Sequence, residues 1–389
     1  MNPPHIALLV ETSREYGRGV LRGVIQYLHE HGPWSLYFKP QGLGAAPPPW
    51  LASWRGHGIL ARINDRRMAE AVLSAKVPVV DLRGALGLRV PTVGIDNRSV
   101  VRLGVEHFVE RGFQHFAFCG TPPGENRYQD ERSRRFARAI RECGHRCEVF
   151  QHPAQAAWTW EQEQRQIARW LRGLPKPVAV MACHDDRGQQ VLDACLRAGL
   201  TVPDEVSVLG VDNDPFLCSL SSPQLSSIDV NPERIGHEAA ALLDRLMKGE
   251  RPPRQPLYFE PRGLMIRQST DVTAVSDPHV VQAARLIRTH ATSTSASLKQ
   301  LLAQVPVSRS ALYRRFKAEL SRSPKEEMTR VRLERAKDLL RNSTLSVAAV
   351  AERAGYSESK NFIAVFRRAT GLTPLRFRKK GVVAPHASG

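Results

Sequence analysis

Ser297-Leu-Lys-Gln-Leu-Leu-Ala-Gln-Val-Pro-Val-Ser308-Arg-Ser310, continuing to Phe316 and Ser323-Pro324, is followed by a second copy of the same unit. That copy is Ser346-Val-Ala-Ala-Val-Ala-Glu-Arg-Ala-Gly-Tyr-Ser357-Glu-Ser359, continuing to Phe366 and Thr373-Pro374. Ser297 maps onto Ser346 and Ser308 onto Ser357 at an offset of 49; Phe316 maps onto Phe366 and Pro324 onto Pro374 at an offset of 50. A repeat that survives one inserted residue carries more weight than a lone motif.

Each copy has the grammar of a helix-turn-helix. Ser297 or Ser346 opens a short helix as N-cap, with apolar residues at Leu298, Leu301, Leu302 and Val305, or Val347, Val350, Ala351 and Ala354. Pro306 or Gly355 breaks it, and Ser308 or Ser357 is the expected cap of a second helix. That helix places Leu312 and Phe316, or Phe362 and Phe366, on one face at a spacing of four. Ser310, Tyr313, Arg314 and Lys317 fall on the opposite face, where such side chains reach base edges and phosphates in a major groove. Between the copies, 324–341 starts with Pro and carries Glu326 and Glu327 in its first turn, the order a helix dipole favours. A helix of that length, about 27 Å, with its flanking turns spaces the two readers about one DNA turn apart.

On these residues, 279–381 resembles the AraC/XylS-family DNA-binding domain, and Gly371-Leu-Thr-Pro374-Leu-Arg376-Phe-Arg378 resembles that family's closing signature. Pro306 stands where the family usually has Gly, and Ala364 where a longer polar residue often faces DNA. The expected DNA-contacting set is Ser308, Arg309, Ser310, Tyr313, Arg314 and Lys317 in the first copy, and Ser357, Ser359, Lys360, Asn361 and Arg367 in the second.

Charge agrees with this placement. The 389 residues carry a net charge of +18, but from Val280 onward there are 22 Lys and Arg against 7 Asp and Glu, leaving the first 279 residues close to neutral. Basic charge concentrated in the C-terminal quarter is a nucleic-acid footprint. A membrane-surface helix fits less well, because the Lys and Arg surround helices that already have a globular core face. No cofactor or metal is expected: the six cysteines form no Cys-x-x-Cys pair, and Cys143-x-x-x-Cys147 lacks a second pair. The start, Met-Asn-Pro-Pro-His, runs into a strand with no signal-peptide pattern, and no apolar run reaches spanning length, so a cytoplasmic protein without membrane contact is expected.

Ahead of the repeat the pattern alternates strand and helix. Strands are read at 5–10, 35–38, 58–61, 77–81, 92–95, 116–119, 148–150, 178–182, 207–211 and 263–266, with helices at 18–31, 67–74, 130–142, 159–172 and 188–198. Such alternation means parallel sheets covered by helices, and its restart near Gly112 suggests two similar lobes with a cleft between them. Polar residues at carboxyl strand ends line the ligand crevice of such sheets. Those read here are Glu11, Asp96, Asp185 and the pair Asp212-Asn213. Carboxylates suit the vicinal hydroxyls of a sugar, although Asp and Asn at such places also serve as caps.

Three runs, Val178 to Asp185, Gly199 to Asn213 and Leu225-Ser-Ser-Ile-Asp-Val, resemble the effector domain of the LacI/GalR regulators, itself similar to periplasmic sugar-binding proteins. The resemblance covers roughly 5–270 and implies that Asp185 and Asp212 contact ligand and that Arg132 binds a ligand hydroxyl, with Arg18, Arg127 and Tyr128 as further candidates. The expected fold is therefore an α/β two-lobed periplasmic-binding-protein-like sensor domain with parallel sheets at 1–272, then a linker at 273–278. An all-α domain with two helix-turn-helix motifs follows at 279–381, and a flexible tail at 382–389. The expected function is a sugar-responsive regulator of xylose or related carbohydrate catabolism. Its expected partners are a double-stranded DNA operator, a small sugar effector, a second copy as homodimer and RNA polymerase. Glu11 and Gly17 occupy first-loop positions where a xylose sensor would be expected to carry Asn and Asp. The alternatives are a sugar-binding protein without gene regulation, or a sugar-acting enzyme using Asp185-Asp186. The enzyme reading lacks a phosphate loop, a metal spacing and a nucleophile elbow.

Overall fold

In the computed structural model, residues 3–152, 158–272, 275, 277–294, 296–343 and 345–381 are described. The expected tail at 382–389 and linker positions 273, 274 and 276 lie outside them. The chain forms two compact units, Met1–Val272 and Thr273–Gly389.

The first unit runs β1 (His5–Leu9), α1 (Glu15–His31), β2 (Ser35–Phe38), β3 (Gly58–Ala61), α2 (Arg66–Ser74), β4 (Val79–Asp81) and β5 (Val93–Ile95). It continues α3 (Asn97–Val109), β6 (His115–Cys119), α4 (Arg127–Glu142), β7 (Cys147–Val149), α5 (Trp160–Gly173), β8 (Val178–Ala182) and α6 (Asp185–Ala198). It closes with β9 (Val206–Val211), α7 (Pro215–Leu220), β10 (Ser226–Asp229), α8 (Pro232–Met247), β11 (Leu257–Phe259) and β12 (Gly263–Met265).

Among the described residues the strands form three sheets, two of them joined in one lobe: the parallel order β2-β1-β3-β4 is linked by an isolated parallel bridge between Asp81 and Thr92 to the parallel pair β5-β11. The third has the order β12-β10-β9-β8-β6-β7, parallel except for β12. The apolar runs of β1, β8 and β9 are buried on both faces, as helices on each side of a parallel sheet require. The lobes are not divided near Gly112. The chain leaves the first sheet after β5, and Asp96 caps α3, whose Gly104 lies against Met181 and Leu209 of the second sheet. The chain returns to the first lobe through α8, which the strand-and-helix reading missed. There α1 and α8 touch backbone to backbone: a Cβ on Gly23 would lie 1.9 Å from Glu233 O, and one on Gly236 1.9 Å from Val20 O.

The second unit is all helical: α9 (Pro278–His290), α10 (Leu298–Leu302), α11 (Arg309–Leu320), α12 (Pro324–Asn342), α13 (Val347–Arg353), α14 (Ser359–Thr370) and α15 (Pro374–Gly381). It has two cores. Val280, Ile287, Leu302, Leu312 and Phe316 build one; Leu340, Val350, Ala354, Phe362 and Phe366 build the other. Helix α12 serves both, giving Met328 to the first and Leu333 and Ala336 to the second. It opens with the capping box Ser323–Glu326 and Pro324 at its first turn. Residues Val275 and Asp277 of the expected linker belong to this unit: Val275 is buried in the first core and Asp277 caps α9.

Candidate functional site

The carboxyl ends of strands from both lobes meet at an open cavity. Lobe one lines it with Arg14 and Tyr16 after β1, Arg62 after β3, Leu82 and Arg83 after β4, and Gly94 and Ile95 of β5. Lobe two contributes Asn126, Tyr128, Gln129 and Arg132 from the start of α4, Cys183 and His184 after β8, and Asp212 after β9. This is where an open parallel sheet places its ligand crevice.

Arg132 is buried, and its Nε donates to Asn97 Oδ1 at 3.0 Å while Nη1 donates to Cys183 O. Its guanidinium also lies 5.6 Å from the Tyr128 ring centre, and the Tyr128 hydroxyl donates to Ile95 O, tying α4 of one lobe to β5 of the other. Arg62 pairs with the buried Glu11 and stacks 4.8 Å from the Tyr16 ring centre. Burial, then the nearby Arg83, pull the Arg62 pKa down to about 9. His184 caps α6 by accepting Arg187 N–H on Nδ1 at 3.1 Å. Burial, then the fields of Arg14, Arg187 and Arg132, hold its pKa well below the ordinary value. The ring is therefore neutral, and with Nδ1 an acceptor its proton sits on Nε2.

Asp212 differs from all of these. Among the described residues no hydrogen bond or ion pair reaches its carboxylate. Burial pushes its pKa up to about 6, against the more distant pull of Arg132, Arg62 and Arg14. Its backbone is held at φ 108°, outside the regions open to side-chain-bearing residues at low cost, while its N–H donates to Ile228 O at 3.0 Å. An unpaired carboxylate on a strained residue lining a cavity makes Asp212 the candidate ligand position of this site.

Of the residues expected to bind ligand, the cavity brings together Tyr128, Arg132 and Asp212, with Glu11 behind its wall on Arg62. The others lie elsewhere. Asp96 caps α3, accepting Arg98 N at 2.9 Å and Ser99 Oγ at 2.6 Å. Arg18 is occupied by Thr12 O at 2.9 Å and Glu15 at 3.1 Å. Arg127 is exposed at the head of α4 and does not line the cavity. Asn213 holds Arg267 at 2.8 Å. Asp185 is buried under the site, accepting Asp214 N at 2.7 Å and Ser227 Oγ at 2.5 Å, so it joins β8, β9 and β10. Asp185→Ala should therefore lower the stability of the sugar-free protein by about 1–3 kcal/mol, because the Asp214 N–H, the Ser227 hydroxyl and the Cys218 thiol lose their buried acceptor. Urea unfolding followed by circular dichroism checks this, and an unshifted midpoint would count against the strut role.

The sequence reading missed Arg14, Tyr16, Arg62, Arg83, Asn126, Gln129 and His184. The signal for three of them was present. Arg62, Arg83 and His184 each stand one or two residues past a strand, where basic side chains line a crevice as readily as acids and amides do.

In the second unit, Ser308 caps α11 by accepting Ala311 N at 3.3 Å, and Arg309, Ser310, Arg314 and Lys317 are exposed along it. Tyr313 is half-buried with the Arg309 guanidinium 5.4 Å from its ring centre. In the second copy the cap of α14 is Glu358, not Ser357, and it makes no side-chain cap bond. The inserted residue falls in the turn before it, where Gly355 takes φ 86° and Tyr356 turns in against Phe362. Ser297 likewise makes no side-chain cap bond, whereas Ser346 accepts Ala349 N at 3.2 Å. Ser357, Lys360, Asn361 and Arg367 are exposed and Ser359 is half-buried. Ala364, opposite Arg314 in the repeat, is exposed and offers no polar group.

A family model of a XylR N-terminal domain matches residues 5–89, one of a periplasmic binding protein-like domain matches 105–270, and one of a helix-turn-helix domain matches 301–380. The xylose operon regulatory protein of Escherichia coli (strain K12) is 31% identical over 380 residues, 96% of each chain. The chain belongs to the XylR family of transcription regulators. The namesake protein of Haemophilus influenzae is 28% identical over 96% of this chain and 97% of its own. The solved structure of the xylose-binding transcription activator XylR superposes with a TM-score of 0.82 at 30% identity, covering 98% of this chain and 99% of that one. A transcriptional regulator CelR–cellobiose complex, at 24% identity and a TM-score of 0.55 over 69% of this chain, shares the fold alone. An α/β periplasmic-binding-protein-like domain followed by a helical DNA-binding domain is thus the architecture of the family and of this chain.

Proposed function

We propose that the chain senses xylose or a closely related carbohydrate in the cavity between its lobes and acts on transcription through its two helix-turn-helix motifs. The observation that carries the reading is Asp212: an unpaired carboxylate facing a cavity rimmed with fixed donors, in a chain that also carries two exposed basic helices. The end-to-end similarity to xylose operon regulatory proteins supports the same reading. A sugar bridging lobe-one donors and Asp212 stabilises one arrangement of the lobes, and it shifts DNA occupancy only by its difference in affinity for the two arrangements. The protein acts in the cytoplasm as a homodimer on an operator, activating transcription with RNA polymerase and catalysing nothing itself. No helix among the described residues is long and apolar enough to cross a membrane.

Footprinting of the full chain on the DNA flanking its own gene, with and without xylose, tests this. Protection of two adjacent major-groove segments about one turn apart, altered by sugar, is expected. Absence of protection, or protection indifferent to any sugar, would contradict it. Arg314, exposed on α11 opposite the buried Leu312 and Phe316, is the side chain expected to read a base. Arg314→Ala should weaken operator binding by about 1–3 kcal/mol and relax preference at one base pair. Unchanged affinity and preference in a binding-site selection would remove that role.

A further inference from the structure

The two reading helices match at their buried positions and differ at the centre of their exposed faces. In α14, Ala364 stands two residues after Phe362 and two before Phe366, both fully buried. At about 100° per residue, this places its methyl group about 160° from each ring, in the middle of the exposed face. Arg314 holds the same place in α11, between the buried Leu312 and Phe316. One turn to either side of Ala364 stand Lys360 and Arg368, with Asn361 and Arg367 beside them, all exposed. Among the described residues no ion pair reaches Lys360, Arg367 or Arg368, and α14 itself contains no acid. Ile363, 38% exposed, adds a second apolar side chain at the edge of this face.

On an ordinary surface an exposed alanine needs no explanation. On a helix lying in the major groove, the residue at the centre of the exposed face meets the base edges, and the cations around it meet the phosphates. A methyl group neither donates nor accepts a hydrogen bond. The major-groove edge offers it one apolar counterpart, the C5-methyl group of thymine.

We infer that Ala364 is a specificity-determining residue: α14 selects thymine by packing the Ala364 methyl group against the thymine C5-methyl, while Lys360, Arg367 and Arg368 hold the flanking phosphates. This rests on the DNA-reading half of the proposed function and deepens it. The two motifs then select differently. Helix α11 reads through the hydrogen bonds of Arg314, and α14 reads through apolar contact, so an A·T pair is required where α14 lies.

Fluorescence anisotropy of the full chain on the promoter fragment that it protects tests this. Each thymine of the two protected segments is replaced in turn by deoxyuridine, which pairs alike and lacks only the methyl group. At one position, or at two neighbouring ones, the wild type should bind about fourfold more weakly, the fold-change of one buried methyl group. Ala364→Gly should erase that difference between thymine and deoxyuridine. Ala364→Gln keeps a good helix former and should exchange the preference for thymine for one for adenine, whose N6 and N7 glutamine pairs. This second variant carries the test if the glycine variant folds poorly. A wild type indifferent to every thymine methyl group in both segments, or a thymine preference that neither variant moves, overturns the inference and leaves the regulator reading standing. A full chain that binds no part of the fragment overturns both.

Discussion

Glu327→Ala is expected to destabilise the C-terminal unit by about 3–5 kcal/mol, the cost of removing one partner from a buried ion cluster. Glu327 is fully buried at the start of α12. Its carboxylate receives Arg330 Nη2 at 2.8 Å, Arg322 Nε at 2.6 Å and Arg288 Nη2 at 3.4 Å, so one acid joins α9, the turn before α12 and α12 itself. Burial opposes its charge, but the Arg330 hydrogen bond and the fields of Arg330, Arg288 and Arg322 outweigh it and hold the pKa at about 2, below the ordinary 4.5. A lowered acid pKa adds stability that is complete above pH about 4.5 and is lost as the pH falls towards 2. Because α12 contributes to both cores, the variant should lose operator binding well below the wild-type melting temperature. Urea unfolding of the C-terminal transition measures this, and a loss under about 1 kcal/mol would show that the three arginines are held by other contacts.

Asp212→Gly is expected to separate stability from function. Glycine adopts φ 108° without strain, and the change also removes a carboxylate whose pKa burial raises to about 6. A raised acid pKa marks a penalty that is absent at pH about 4 and fully present above 6. Relief of strain and charge should raise the melting temperature of the sugar-free protein at neutral pH, a gain on the order of 1–2 kcal/mol. Effector binding should fall by about two orders of magnitude, as charge-assisted hydrogen bonds to adjacent hydroxyls are lost. In the wild type, effector affinity should likewise weaken as the pH drops below about 6. Differential scanning fluorimetry with and without effector reads both effects. A variant that melts lower but still shifts with effector would make Asp212 a structural residue.

The C-terminal unit was legible almost to the residue, because repetition doubles the evidence for each buried position and the apolar spacing matches a helix period. The departure there is local: Ser357 has the residue type of a cap, but the residue inserted in the second copy moves the cap to Glu358. In the sensor, strands came through because parallel strands buried on both faces read as apolar runs. The lobe boundary did not, because Asp96 ends one strand and caps the next helix, and nothing in the residue type separates a ligand from a cap. The same ambiguity misplaced the β8 site by one position. His184 faces the cavity, and the neighbouring Asp185 lies buried under it, tied to β9 and β10. Carboxylates also drew attention away from arginines, which turn out to dominate the wall. Helix α8 escaped because it packs back on α1 across the whole sensor sequence, a contact that no local pattern announces.

Occupancy of the interlobe cavity is proposed to set occupancy of DNA. Fluorescence anisotropy of the full chain on its own promoter fragment, titrated with effector in the wild type and in Asp212→Gly, tests it most directly. Effector is expected to shift the wild-type DNA affinity while the variant binds the same fragment and does not respond. An effector response of equal size in both proteins would contradict it.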